Sequence, residues 1–124
     1  MKQANYEVGK FGEELARKHL ISKNFKIITS NFKTKFGEID IVASKDKVLA
    51  FVEVKLKIGE DFGTPEEMIN SFKLSQVQNT AVSFLQNNPQ IDKAHSSYRI
   101  DAVCIVLDQN KHVVRVNHYE NITG

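Results

Sequence analysis

A single cysteine, Cys104, stands in a chain of 124 residues. That excludes an internal disulfide framework and any multi-cysteine zinc site within one chain. The four histidines, His19, His95, His112 and His118, fall at no spacing typical of metal ligands, so core or surface roles are expected for them. No apolar run approaches the ~20 residues of a membrane span. The first residues, Met1 to Tyr6, lack the hydrophobic segment of a secretory signal. Repeats, linkers and low-complexity tracts are missing as well. Together these absences predict one domain over residues 1–124 in a reducing, cytoplasmic setting.

Hydrophobic residues make up 41% of the chain, enough for a modest core. The net charge is only +2 but is unevenly spread. Residues 1–57 hold twelve Lys/Arg against seven Asp/Glu, whereas residues 58–124 hold five against eight. Lys33, Lys35, Lys45, Lys47, Lys55 and Lys57 gather around two apolar segments. A basic rim of this kind suits a polyanion, although on charge alone a solvated lysine surface is the simpler reading.

Apolar spacing predicts a helix from about Tyr6 to Lys23, with Val8, Phe11, Gly12, Leu15, Ala16, His19 and Leu20 on one face. Three strands follow, at Phe25–Lys33, Glu38–Ala43 and Val48–Leu56. The last two are joined by the polar stretch Ser44 to Lys47. Thr64-Pro65-Glu66-Glu67 has the form of a helix start, and Asn70 and Ser71 offer a second cap. The main helix then carries Leu74, Val77, Ala81, Phe84 and Leu85 and ends near Asn88-Pro89. A continuously apolar strand, Tyr98–Leu107, and an edge strand within 112–119 complete the order. Short turns make the first strands an antiparallel meander. The helical crossover sets strand 98–107 parallel to its neighbour. The expected class is a mixed α/β sheet with flanking helices, order αβββαβ plus an edge strand.

Gly37-Glu38-Ile39-Asp40-Ile41-Val42 and Phe51-Val52-Glu53-Val54-Lys55 carry charges where a buried strand disfavours them. Strand alternation puts Glu38 and Asp40 on one face, with Ile39 and Ile41 on the other. Glu53 and Lys55 share a face with Phe51. An even-length loop brings Asp40 and Glu53 together, whereas an odd loop without a bulge separates them. Two carboxylates ~4 Å apart repel by ~4 kcal/mol at an effective dielectric near 20, so the pair needs a cation. Lys55 supplies one charge, and Mg²⁺ or Mn²⁺ suits an all-oxygen set. The simpler reading is a pair of salt-bridged strands. On the first helix, Glu13 lies closer to the apolar arc than Glu14 and leans toward the sheet. Asp101, inside an apolar strand, needs a partner, and Arg99 two residues earlier is the expected one.

Asp40 followed by Glu53-Val54-Lys55 resembles the PD-(D/E)xK motif of restriction-endonuclease-like proteins, with Ile39 in place of the usual proline. The match is closer to the YraN family of predicted endonucleases, which is related to archaeal-type Holliday junction resolvases. That resemblance rests on Gly9, Gly12-Glu13, Leu15-Ala16, Asn31, Phe36 to Asp40, Phe51 to Lys55, Phe62 to Glu66, Lys73, Arg99 and Asp101. It implies a restriction-endonuclease-like fold and a metal-dependent nuclease acting on DNA, including branched or structured DNA, as a homodimer. It assigns Glu13, Asp40, Glu53 and Lys55 to catalysis. Asp40, Glu53, Val54 and Glu13 become the positions that meet Mg²⁺ or Mn²⁺. Lys33, Lys35, Lys57 and Lys73 are the expected nucleic-acid contacts. The rival reading is a non-catalytic nucleic-acid-binding or repair accessory protein that keeps the fold.

Overall fold

A computed structural model describes residues 2–123, with side chains from Glu7 onward. Helix α1 (Lys2–Ser22) is followed by β1 (Lys26–Thr34), β2 (Gly37–Lys45) and β3 (Val48–Ile58). A single 3₁₀ turn (Glu66–Met68) precedes α2 (Ser71–Asn87), a short α3 (Pro89–Lys93), β4 (Ser97–Leu107) and β5 (Val113–Tyr119). All five strands form one sheet in the order β1-β2-β3-β4-β5. The β3–β4 pair is parallel and the other pairs are antiparallel. This is the expected restriction-endonuclease-like mixed sheet. Helix α1 starts earlier than its apolar spacing predicts, and α3 is an unforeseen extra turn that Pro89 opens.

Two apolar layers cover the sheet. Ala16 and Leu20 of α1 pack with Phe25, Ile41, Ala43, Ala50, Val52, Val103, Ile105 and Leu107. On the opposite face, Val77, Ala81, Phe84 and Leu85 of α2 pack with Ile39, Val42, Leu49, Phe51 and Ile100. Phe11, placed on the apolar face by periodicity, is instead 39% exposed. Cys104 is fully buried in β4, where burial pushes its thiol up to about 11.

The β2–β3 connection is a two-residue turn, Asp46-Lys47, shorter than the four-residue loop expected. Both residues have positive φ (51° and 64°), as a tight hairpin matched to strand twist requires. The loop is still even, so the shared register survives: Lys45 pairs with Val48 and Ile41 with Val52.

One expectation fails at Asp40. Ile39 belongs to the α2-side layer and Ile41 to the α1-side layer, so strict alternation breaks between them. The break coincides with an irregularity in the neighbouring strand: Asn31 of β1, at the position facing Asp40, takes a left-handed φ of 57°.

Beyond β3, Arg115 of β5 bonds Glu60 (2.9 Å) and both Glu66 oxygens (2.7 and 3.0 Å), while the Tyr119 hydroxyl donates to Glu66 (2.7 Å). This ties the segment before α2 to the edge strand. Asn70 then caps α2 by accepting from the Lys73 N–H at 2.9 Å.

Candidate metal centre at the strand fork

The β1–β2 ladder continues to Thr34–Gly37 and the β3–β4 ladder to Ile58–Leu107, yet β2 and β3 stop pairing at Ile41–Val52. The sheet therefore forks. Continuing the register sets Asp40 opposite Glu53 at the first step of the opening. There the Val54 main-chain N–H, left without a ladder partner, donates to Asp40 Oδ2 at 2.8 Å. The fork is a cavity of about 420 Å³ whose walls include Gly9, Glu13, Glu38, Asp40, Glu53, Lys55 and Lys73.

Helix α1 closes one side. Its approach depends on Gly12: a Cβ there would sit 3.1 Å from Leu56 Cδ1, inside ordinary contact distance. That closeness places Glu13 over the fork. Carboxylate oxygens of Glu13, Glu38 and Asp40 lie within 4.8 Å of one another. If all were ionised, each pair would repel by roughly 3 kcal/mol at an effective dielectric near 20.

Glu53 sits deeper, 1% exposed. Lys55 Nζ is 3.8 Å and Lys73 Nζ 3.7 Å from its Oε2, too far for hydrogen bonds, and that oxygen has no hydrogen-bond partner. Glu53 is pushed up to about 7, chiefly by burial and then by Asp40, against Lys73 and Lys55. Asp40 is pushed up to about 6, chiefly by burial and also by Glu13 and Glu38, against the Val54 hydrogen bond and Lys55. Four carboxylates and two ammonium groups leave a deficit of two positive charges. Two protons or one divalent cation would fill it.

All four expected catalytic residues, Glu13, Asp40, Glu53 and Lys55, line this one cavity. Val54 lines it too; its N–H is already engaged, which leaves its carbonyl as the group to meet a metal. Glu38 joins the cluster as well. Its signal was the Glu-Ile-Asp spacing, but only the break in alternation brings it beside Glu13. The oxygen-only donor set, the orphaned Glu53 oxygen and the charge deficit fit Mg²⁺ or Mn²⁺ better than zinc.

The expected nucleic-acid lysines divide. Lys73 turns inward to Glu53 rather than outward. A lysine in the first turn of a helix is disfavoured by the helix dipole, and the buried glutamate supplies its reason. Lys33 lines a neighbouring groove, Lys35 lies over the Phe36 ring at 5.3 Å, and Lys57 sits half-buried on β3 beyond the fork.

Asp101 lies outside the fork and is fully buried. Arg99 Nε (2.9 Å) and the Asn121 N–H (2.9 Å) donate to its Oδ1, and His118 Nε2 lies 2.8 Å from its Oδ2. Burial alone would raise its pKa, but these bonds bring it below the usual range. It is a structural hub, as the Arg99 spacing suggested. His95 is likewise structural, between Ser44 Oγ (2.7 Å) and the Ile91 carbonyl (2.6 Å).

A forked mixed sheet with an acidic, lysine-bearing notch defines an α/β protein equipped to hold a divalent cation. Residues 12–105 match the model of the Uncharacterised protein family UPF0102. The chain belongs to that family, the YraN family of the resemblance above. A UPF0102 protein of Syntrophomonas wolfei is 37% identical over 94% of this chain and 97% of its own. One from Caldicellulosiruptor bescii is 39% identical over 90% and 92%, and one from Pelotomaculum thermopropionicum 34% over 98% of both. Those names state no activity.

Proposed function

We propose that the protein is a divalent-metal-dependent endonuclease that hydrolyses phosphodiester bonds in DNA, branched or structured DNA included. The observation that carries this reading is the convergence, at one break in the sheet, of Glu13, Glu38, Asp40 and buried Glu53 with Lys55. Glu13, Asp40, Glu53 and the Val54 carbonyl would hold Mg²⁺ or Mn²⁺, with Glu38 beside them. The bound cation would supply a polarised phosphate oxygen and a water of lowered pKa. Lys55 would orient that water and steady the charge that develops on the phosphate. Lys73 holds Glu53 in place across the cavity. Two copies would bring two such sites to a branched substrate, as paired cuts require. No described helix is long and apolar enough to cross a membrane.

The test uses labelled single-stranded, duplex and four-way-junction DNA with Mg²⁺, Mn²⁺ or Ca²⁺. Cleavage is expected with Mg²⁺ or Mn²⁺ and is lost in Asp40→Asn and Lys55→Ala. Cleavage that survives both substitutions would remove the proposed site. Binding without cleavage under every metal would favour a non-catalytic DNA-binding role.

A further inference from the structure

A second groove, about 470 Å³, runs between α1 and β1 beside the fork. Glu13 and Glu38 form the shared wall, and Lys10, Arg17, Asn31 and Lys33 form the remainder of its polar lining. On α1, Lys10, Glu13 and Arg17 follow the three- and four-residue steps that stack side chains along one helix face. On β1, Lys33 is the register partner of Glu38, yet no ion pair within 4 Å joins them among the described residues. Lys10 and Arg17 have no carboxylate partner there either; Arg17 reaches only Ser30 Oγ, at 3.4 Å. Three cations thus surround a groove whose two carboxylates, Glu13 and Glu38, belong to the acid cluster. The opposite flank differs, because its lysine, Lys73, is already directed at Glu53.

We propose that this groove binds the phosphate adjacent to the one cleaved, so that a polynucleotide backbone approaches the fork from the α1–β1 side. The proposal rests on the nuclease reading and gives its substrate a direction. A cation in the fork neutralises Glu13 and Glu38, and the charge left on the groove is that of Lys10, Arg17 and Lys33. Asn31, turned by its left-handed backbone at the lip, offers an amide to a phosphate oxygen. The groove reads backbone rather than base, so it confers affinity and orientation without sequence preference.

Fluorescence anisotropy with a labelled single-stranded oligonucleotide, in Ca²⁺, over a salt series tests this. Two charge-matched triples are compared: K10Q/R17Q/K33Q in the groove, and K18Q/K23Q/K26Q at the far end of α1 and the start of β1. The groove triple should lower the magnitude of the log K against log salt slope by at least about 0.7, the value of one single-strand phosphate contact. The far triple should change it by less than half as much. Equal effects of the two triples, an unchanged slope in the groove triple, or no polynucleotide binding by the wild type would each overturn the proposal. Parallel Mg²⁺ cleavage by the wild type separates the two readings. A protein that cleaves but ignores the groove triple loses only the groove. One that binds through the groove without cutting loses only the turnover.

Discussion

Asp40 Oδ2 accepts a 2.8 Å hydrogen bond from the Val54 N–H across the opening between β2 and β3. The carboxylate thus does two jobs: it replaces a missing ladder acceptor, and it faces three other acidic side chains. Substitution separates them. Asp40→Asn keeps an oxygen for Val54 and removes a charge that burial disfavours. We expect it to raise the melting temperature of the metal-free protein at pH 7.5 while abolishing Mn²⁺ binding in calorimetry. Asp40→Ala also loses the acceptor and should lie about 1 kcal/mol below Asp40→Asn in denaturant melts. An Asn variant that binds Mn²⁺ like the wild type would count against the site.

Stability should depend on pH in the direction opposite to most carboxylates. Asp40 and Glu53 are raised, to about 6 and about 7, above their ordinary values of 3.8 and 4.5. Between those limits the folded chain binds more protons than the unfolded one, so metal-free stability falls as pH rises from about 4 to about 7. Two groups moved by roughly two units each put an upper limit of about 5–6 kcal/mol on the loss. Saturating Mn²⁺ should restore more stability at pH 7.5 than at pH 5, because cation and proton compete. Melting curves in EDTA and in Mn²⁺ across this range measure both effects. A flat metal-free profile would show that the two carboxylates are not buried as described.

Gly12 lets α1 lie against β3, with Leu56 Cδ1 only 3.1 Å from where a Cβ would be. Gly12→Val adds a branched side chain at that contact. It should cost about 1–3 kcal/mol, the usual range for overpacking. Mn²⁺ affinity should fall beyond what the loss of stability explains, because Glu13 rides on the displaced helix. Gly9→Ala is the comparison: no atom lies within 4 Å of its Cβ position, so packing there should be unaffected.

Asp101 is fully buried, with Arg99, His118 and the Asn121 N–H around it. Asp101→Ala leaves the buried His118 imidazole without its acceptor and leaves Arg99, 22% exposed, with Glu120 alone. A loss of about 2–3 kcal/mol follows, the cost of leaving buried polar groups unsatisfied. Denaturant melts should show it with and without Mn²⁺, and Mn²⁺ should stabilise the variant and the wild type by the same amount, since the network lies outside the fork. A variant that Mn²⁺ no longer stabilises would mean that Asp101 belongs to the metal centre after all.

Much of this site can be read along the chain because it is built from local rules. The register of an even turn suffices to set Asp40 opposite Glu53, and helical phase suffices to pick Glu13 over Glu14. The fork itself is not local. It arises because β2 stays with β1 while β3 stays with β4, and no pattern in either strand announces where a pair parts. The reversal at Asp40 faces a left-handed residue, Asn31, in the neighbouring strand and leaves no mark in the pattern of β2 itself, so Glu38 stands outside the predicted site. Lys73 is expected to contact nucleic acid because nothing in its own helix reveals Glu53 below it. Arg115 carried no signal at all, since its partners lie about fifty residues away.

That arginine has a consequence for the edge strand. β5 contributes nothing to the acid cluster, yet through Arg115 it grips Glu60 and Glu66, just ahead of the Asn70 cap that starts α2. Glu66, held down to about 2 chiefly by its Arg115 hydrogen bonds, keeps that grip at any pH the cell meets. The outermost strand therefore acts as an outrigger: it fixes where α2 begins, and with that how far Lys73 can lean toward Glu53. Loosening Arg115 would retune the charge balance of the fork without altering any group inside it.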